Sequence, residues 1–300
     1  MKVLKWIGIV LGGLIVIVAV AFLVLFVIGG AKFDRTYAVA KNPVVIPEGE
    51  EAVASGQHIA TTRGCADCHG PNLGGTVFIN EPNLAVLPAP NLTSGVGGVG
   101  DTYTDEDWIR AIRHGVGAGG RGLLIMPAQY YTHLSDDDLG ALIAYLKQLE
   151  PVDNDLPPRR IGTMGRILIA TNQLPPPAPE LIPPNMDRTA PPAGETTEYG
   201  EYLVLSTGCQ DCHGQDFAGA VPPGSDPGTP LSPNLTPAGD LSGWTQEGFV
   251  EAIRTGVTPE GESLNGEEMP WPVFAQFTDT ELGAIWAYLE SLPPTASSGG

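Results

Sequence analysis

Cysteine is scarce in this 300-residue chain, with only four, and cations are few: fifteen lysines and arginines against thirty-four aspartates and glutamates. The shortage of positive charge argues against nucleic acid as a partner, which calls for a basic footprint. All four cysteines fall in two short stretches, Gly64-Cys65-Ala66-Asp67-Cys68-His69-Gly70 and Gly208-Cys209-Gln210-Asp211-Cys212-His213-Gly214. No thiol is left for a disulfide, a nucleophile or a cysteine ligand to iron.

What is present is therefore C-x-x-C-H, twice. The spacing suits covalent attachment of a c-type haem, in which two thiols add to the vinyl groups and the adjacent imidazole turns beneath the iron. A zinc site or a redox dithiol also uses C-x-x-C. Zinc ribbons place their two pairs roughly 15–20 residues apart, whereas here the pairs are 144 residues apart and each carries its own histidine.

A second feature is a long uncharged run from Trp6 to Ala31. As a helix, roughly 25 residues extend about 37 Å, enough to cross a bilayer with some tilt. A signal peptide would have an apolar core of only about 7–15 residues, and the one A-x-A site, Ala38-Val39-Ala40, lies beyond the run. An uncleaved anchor is expected, with the amino terminus cytoplasmic and everything after Lys32 on the extracytoplasmic side of a bacterial cell membrane, where c-type haem is ligated. Asn42 to Glu51, with two prolines, reads as a tether.

The chain repeats itself at an offset of 141–144 residues. Pro90-Asn91-Leu92-Thr93 matches Pro233-Asn234-Leu235-Thr236, Thr104 to Val116 matches Thr245 to Val257, Met126-Pro127 matches Met269-Pro270, and Ser135 to Leu149 matches Thr278 to Leu292. Thr278 with Glu281 predicts a capping box and Ser135 with Asp138 a weaker version. Gly56 and Gly200, each in a short predicted helix before a motif, offer room for a ring of the last helix, Tyr145 or Tyr288. Four segments follow: 1–41, an anchor and flank; 42–150, a first domain; 151–194, a proline-rich linker; and 195–300, a second domain. The linker reads as extended, with Ile161 to Leu174 apolar enough for a short helix packed on some surface.

Five methionines exist, but only Met126 and Met269 share a repeat position, 57 and 56 residues after His69 and His213. A proline follows each and stiffens the loop. They are the expected sixth ligands, so that His69, Met126, His213 and Met269 form the metal set. The remaining histidines, His58, His114 and His133, align with Tyr202, Thr255 and Gln276 and read as structural. Arg113 and Arg254 share a position and are candidates for a forked bond to a haem propionate. Asn91, Asn234, Tyr103 and Trp244 are weaker candidates for contacts at the same edge. Asn91 and Asn234 also begin N-x-T glycosylation acceptors, but their place in the repeat favours a structural role.

On these motifs each unit resembles a class I cytochrome c. The resemblance covers roughly residues 49–150 and 195–294, and implies an all-α fold of two tandem domains behind one transmembrane helix. Together the units are similar to cytochrome subunits of membrane-bound alcohol and other periplasmic dehydrogenases, and to dihaem electron-entry subunits of terminal oxidases. The resemblance implies two covalently attached haem c groups on Cys65, Cys68, Cys209 and Cys212, and an electron carrier in a respiratory or photosynthetic chain, free or as a complex subunit. An alternative is a dihaem peroxidase or thiosulfate-oxidising cytochrome, which needs an open iron position. From Asn42 to Glu150 there are five cations and thirteen anions; from Pro191 to Gly300 there are one and sixteen. The second domain is expected to dock a basic redox partner by electrostatic steering.

Overall fold

The computed structural model describes residues 2–183, 186, 188–223, 225 and 228–297. Parts of the anchor, linker and second-domain segments given above, Gly300 among them, lie outside the described residues. The chain is mostly helical. Its elements run α1 (Lys2–Phe33), α2 (Glu50–Thr62), α3 (Cys65–His69), β1 (Thr76–Glu81), β2 (Ala85–Ala89), α4 (Asp105–His114), α5 (Ala128–Tyr131) and α6 (Asp136–Leu146). They continue with β3 (Arg160–Ile161), α7 (Thr163–Ala170), a 3-10 turn (Ala178–Glu180), α8 (Thr197–Thr207), α9 (Gln210–His213), α10 (Gln246–Thr255), α11 (Trp271–Phe274) and α12 (Asp279–Ser291).

The long helices start where side chains satisfy their free N–H groups. Thr104 caps α4 in a capping box with Asp107, and Thr278 caps α12 in one with Glu281. Ser135 caps α6 by accepting from the Asp138 N–H at 3.0 Å.

Contacts divide the chain into two compact bodies. The first holds residues 1–42, 68–129 and 149–182. Its α1 is, among the described residues, the one helix long and apolar enough to cross a membrane, with a mean hydropathy of 3.2 in its most apolar window and none of that window buried. The foot of α1 is built into the protein. A Cβ on Gly29 would lie 1.9 Å from the Arg166 carbonyl oxygen, so α7 crosses α1 backbone to backbone. Arg166 and Arg159 stack on Phe26 and Phe33 at 4.5 and 4.2 Å, and Arg159 also donates to the Phe33 carbonyl at 2.8 Å. The short helix expected in the linker thus exists, and the surface it covers is the end of α1.

The linker departs from the extended tether expected of its prolines. Asn154 donates to the carbonyls of Gly74 and Gly75 at 2.8 and 3.0 Å, and β3 joins β1 and β2 in an antiparallel sheet of order β1-β2-β3. That sheet is an addition to the all-α expectation. Its strands are too short for a period-2 pattern to stand out among loop residues. Trp108, Ile109, Ile112 and Val116 of α4 and its exit form the buried centre of this body.

The second body holds residues 43–67, 130–148 and 183–300. It contains two crossed helix pairs, α2 on α6 and α8 on α12. Each crossing is closed by a glycine, because a Cβ on Gly56 would lie 2.0 Å from the Ala141 carbonyl oxygen and one on Gly200 would lie 2.0 Å from that of Ala284. The Cβ atoms of Tyr145 and Tyr288 are the next neighbours, at 2.8 and 2.7 Å. The close approach expected of Gly56 and Gly200 is therefore to helix backbone and the root of the tyrosine. The segment expected to tether the first domain also packs, since a Cβ on Gly140 of α6 would lie 2.2 Å from the Val45 carbonyl oxygen. Leu203, Val204, Phe217, Phe249, Phe277, Leu282, Trp286 and Leu289 fill the core.

Candidate functional site

Each C-x-x-C-H stretch is one short helical turn ending on its histidine. Gly64 and Gly208, just before the first cysteine, take φ of +66° and +83°, a left-handed conformation that glycine adopts without steric cost. The turn aims the imidazole inward: His69 and His213 are 9 % and 6 % exposed.

The ring of each is held by a carbonyl. His69 Nδ1 lies 2.8 Å from the Pro90 oxygen and His213 Nδ1 lies 2.9 Å from that of Pro233. A carbonyl only accepts, so Nδ1 carries the proton and Nε2 keeps its lone pair for a metal. Burial pushes both imidazoles below their ordinary pKa, against the smaller opposing effect of the carbonyl bond. The neutral, ligating form is the one the fold favours.

The loops that present those carbonyls are matched as well. Leu73 and Phe217 both adopt positive φ, 55° and 59°, uncommon for side chains of their size. Their carbonyls accept from the N–H of Leu92 at 2.9 Å and of Leu235 at 2.8 Å, which tie the Pro-Asn-Leu-Thr stretch to the motif. Sequence reasoning found the Pro-Asn-Leu-Thr repeat but not the use of its proline carbonyls. Repetition of the proline 21 and 20 residues after the histidine was the available signal.

Asn91 and Asn234 are 0 % and 2 % exposed, and their amides are fully engaged. Asn91 accepts from the Thr93 N–H and hydroxyl at 3.0 and 2.8 Å and donates to the Val152 carbonyl at 2.6 Å. Asn234 accepts from the Thr236 N–H and hydroxyl at 2.9 and 2.8 Å and donates to the Thr295 carbonyl at 2.8 Å. These pairs clamp the chain leaving the last helix of each repeat onto the histidine loop. Within the protein, both asparagines thus serve a structural clamp.

Met126 and Met269 are partly buried and each immediately precedes a Pro and a short helix, α5 or α11. Their carbonyls accept from Ala128 N–H at 2.8 Å and Trp271 N–H at 2.6 Å, the same turn in both repeats. Arg113 is fully buried on α4. Arg254 on α10 donates to the Ala275 carbonyl and, at 2.8 Å, to Asp279, whose side chain is 89 % exposed. Tyr103 stacks edge-on against Trp108 at 5.1 Å, and Trp244 donates to Glu260 at 3.0 Å. His58 contacts Glu281 at 2.9 Å, burial lowers the pKa of His133, and His114 ends α4.

The cysteines are unbridged and partly exposed. Burial around the sulfur nevertheless pushes the Cys209 thiol up to about 12 and the Cys212 thiol in the same direction. A redox dithiol works through a lowered thiol pKa, and burial here acts in the opposite direction. Two thiols beside a carbonyl-fixed, neutral histidine form the donor set that a covalently held haem requires, and the residues fit that group.

The sequence profile of the family described as cytochrome c matches residues 53–150 and 197–293. The chain belongs to the cytochrome c family. Membership implies covalently bound haem c. These cytochrome c units are similar to the fructose dehydrogenase cytochrome subunit of Gluconobacter japonicus, 28% identical over 273 residues, covering 83% of this chain and 54% of the relative. They are also similar to the cytochrome c subunit of the quinone alcohol dehydrogenase of Gluconacetobacter polyoxogenes, 27% identical over 292 residues, covering 85% and 59%. The gluconate 2-dehydrogenase cytochrome c subunit of Pantoea cypripedii is 34% identical over 106 residues, 33% of this chain and 24% of that relative. The chain thus spans little more than half the length of the first two relatives.

Proposed function

We propose that the chain is a membrane-tethered dihaem cytochrome c that relays single electrons, as the cytochrome subunit of a dehydrogenase complex or as a carrier beside one. The observation that carries this reading is the exact repetition of one site: a C-x-x-C-H turn, a buried histidine with Nδ1 on a proline carbonyl, and a methionine before a short helix. When bound, haem supplies a one-electron iron couple. Cys65 and Cys68 hold the first haem and Cys209 and Cys212 the second. His69 with Met126, and His213 with Met269, would ligate the two irons. With two protein ligands to each iron, the haems would serve electron transfer and not substrate binding.

Arg113 and Arg254 are the propionate partners in this reading. Arg254 is held by an Asp279 that is exposed enough to be exchanged. Domain limits of 42–150 and 195–300, flanked by 1–41 and 151–194, follow from the repeat. The packing of α7 and Arg159 on the foot of α1 supports an uncleaved anchor, because a cleavage beyond Phe33 would strip these residues of their partner. With the haem units outside the cytoplasm, the acid-rich second domain docks a basic partner, at a rate that falls as salt rises.

Haem content and cell fractionation test the proposal together. Two covalently held haems per chain, both low-spin when oxidised, in a protein that stays with the membrane at high salt, are expected. A high-spin haem with peroxide turnover would favour the enzymatic alternative.

A further inference from the structure

Helix α1 is exposed along its length from Lys2 to Val24 and becomes partly covered by protein from Leu25 onward. Its exposed, uncharged part, Trp6 to Val24, holds 19 residues. That is about 28 Å of helix, and the hydrocarbon core of a bilayer is about 30 Å thick. The free part of α1 therefore matches the hydrocarbon. Leu25 to Phe33, with whatever packs on them, fall at its outer boundary, in the headgroup layer.

What packs there is basic and apolar. Arg166 of α7 lies over Phe26 at 4.5 Å, Arg159 lies over Phe33 at 4.2 Å, and Lys32 donates to the Asn172 side-chain oxygen at 2.8 Å. Among the described residues no carboxylate lies within ion-pair distance of these three cations. Two further cations at the same foot, Arg35 and Arg121, pair with Glu180 at 3.0 Å and Asp34 at 3.5 Å. In a chain of net charge −19, the stretch from Leu156 to Pro179 has three arginines and no acid. Within it, Ile167, Leu168 and Ile169 of α7 are only partly buried and Met164 is 52 % exposed. Apolar residues beside cations on one short helix suit the boundary between headgroups and acyl chains.

We propose that the foot of α1 with α7 is a second membrane contact, an interfacial surface that binds anionic phospholipid. Helix α7 lies in the headgroup layer, and Lys32, Arg159 and Arg166 attract the lipid phosphates. The proposal rests on the membrane-tethered reading. A negative bilayer surface attracts juxtamembrane cations. The same potential repels the acid-rich remainder of the chain, so an anionic bilayer selects this foot as the part of the extracytoplasmic protein that meets lipid.

The test reconstitutes the full chain, haems reduced, in phosphatidylcholine bilayers with a trace of spin-labelled phosphatidylglycerol or spin-labelled phosphatidylcholine. The fraction of each label immobilised by the protein is read by electron paramagnetic resonance. A Lys2→Gln/Lys5→Gln background removes the cations at the other end of α1. In that background phosphatidylglycerol should be held over phosphatidylcholine by about fivefold or more, and adding Lys32→Gln/Arg166→Gln should bring the ratio close to one. Should that variant not fold, Met164→Asp places a carboxylate on the exposed side of α7, away from its packing on α1, and should lower the ratio. A ratio near one before these changes, or one that Met164→Asp or the folded Lys32→Gln/Arg166→Gln chain leaves unchanged, would overturn the proposal. Failure of the tethered reading is seen separately, as protein that leaves the membrane at high salt.

Discussion

In the first repeat Arg113 is fully buried, whereas in the second Arg254 reaches an exposed Asp279 at 2.8 Å. The first repeat folds the stretch between its histidine motif and Asn91 into a β-hairpin, and within the equivalent stretch of the second no strand occurs among the described residues. Against these differences stand groups that have not drifted: the histidine–proline carbonyl bond, the Asn-x-Thr clamp, the glycine at the helix crossing and the methionine turn. The two halves differ in what surrounds the proposed haems and agree in what would hold them.

The sharpest way to break the comparison is to remove one attachment site at a time. Replacing Cys65 and Cys68 by alanine, or Cys209 and Cys212, should each halve the covalent haem measured per chain; loss of all haem from either double variant would show that the repeats are not independent. Next in size are Gly56→Ala and Gly200→Ala. Overpacking costs about 1–3 kcal/mol, and the better helix propensity of alanine returns at most about 1 kcal/mol. Because the two clashes are equal at 2.0 Å, denaturant midpoints should fall by similar amounts.

A smaller effect is expected from Asn91→Ala and Asn234→Ala. Each strands a buried threonine and a carbonyl, at about 1–3 kcal/mol, and the loss should be alike in both, read as thermal midpoints with haem content unchanged. The smallest concerns Glu281. Burial works against its ionisation, but hydrogen bonds from His58 and the Thr278 backbone outweigh burial and leave its pKa below the ordinary value of 4.5. A depressed carboxyl stabilises the fold above its unfolded pKa, and that contribution disappears as pH falls through the folded value. Glu281→Gln should therefore flatten the acid limb of the stability curve, and a parallel curve would contradict this.

Much of the site was legible in the sequence because covalent attachment demands fixed spacing, and a duplicated spacing identifies its own equivalents. The capped helices were legible for the same local reason, as at Thr104 and Thr278. What escaped was carried by backbone or by distant partners. The Pro90 and Pro233 oxygens have no side-chain signature, and the left-handed turns at Leu73 and Phe217 fall on residues that do not advertise them. The prolines after Pro151 suggested a free linker, yet Val152 and Asn154 are bound to the histidine loop and α7 to the foot of α1. Arg63, adjacent in sequence to the first motif, donates to Ser206, 143 positions away.

The central claim is that two irons are each held between an imidazole and a thioether. A redox titration of the full chain carrying Met126→His or Met269→His tests it most directly, because replacing a thioether by imidazole lowers an iron potential. Each variant should lower one of two potentials and leave the other nearly fixed. Two unmoved potentials in both variants would contradict the account.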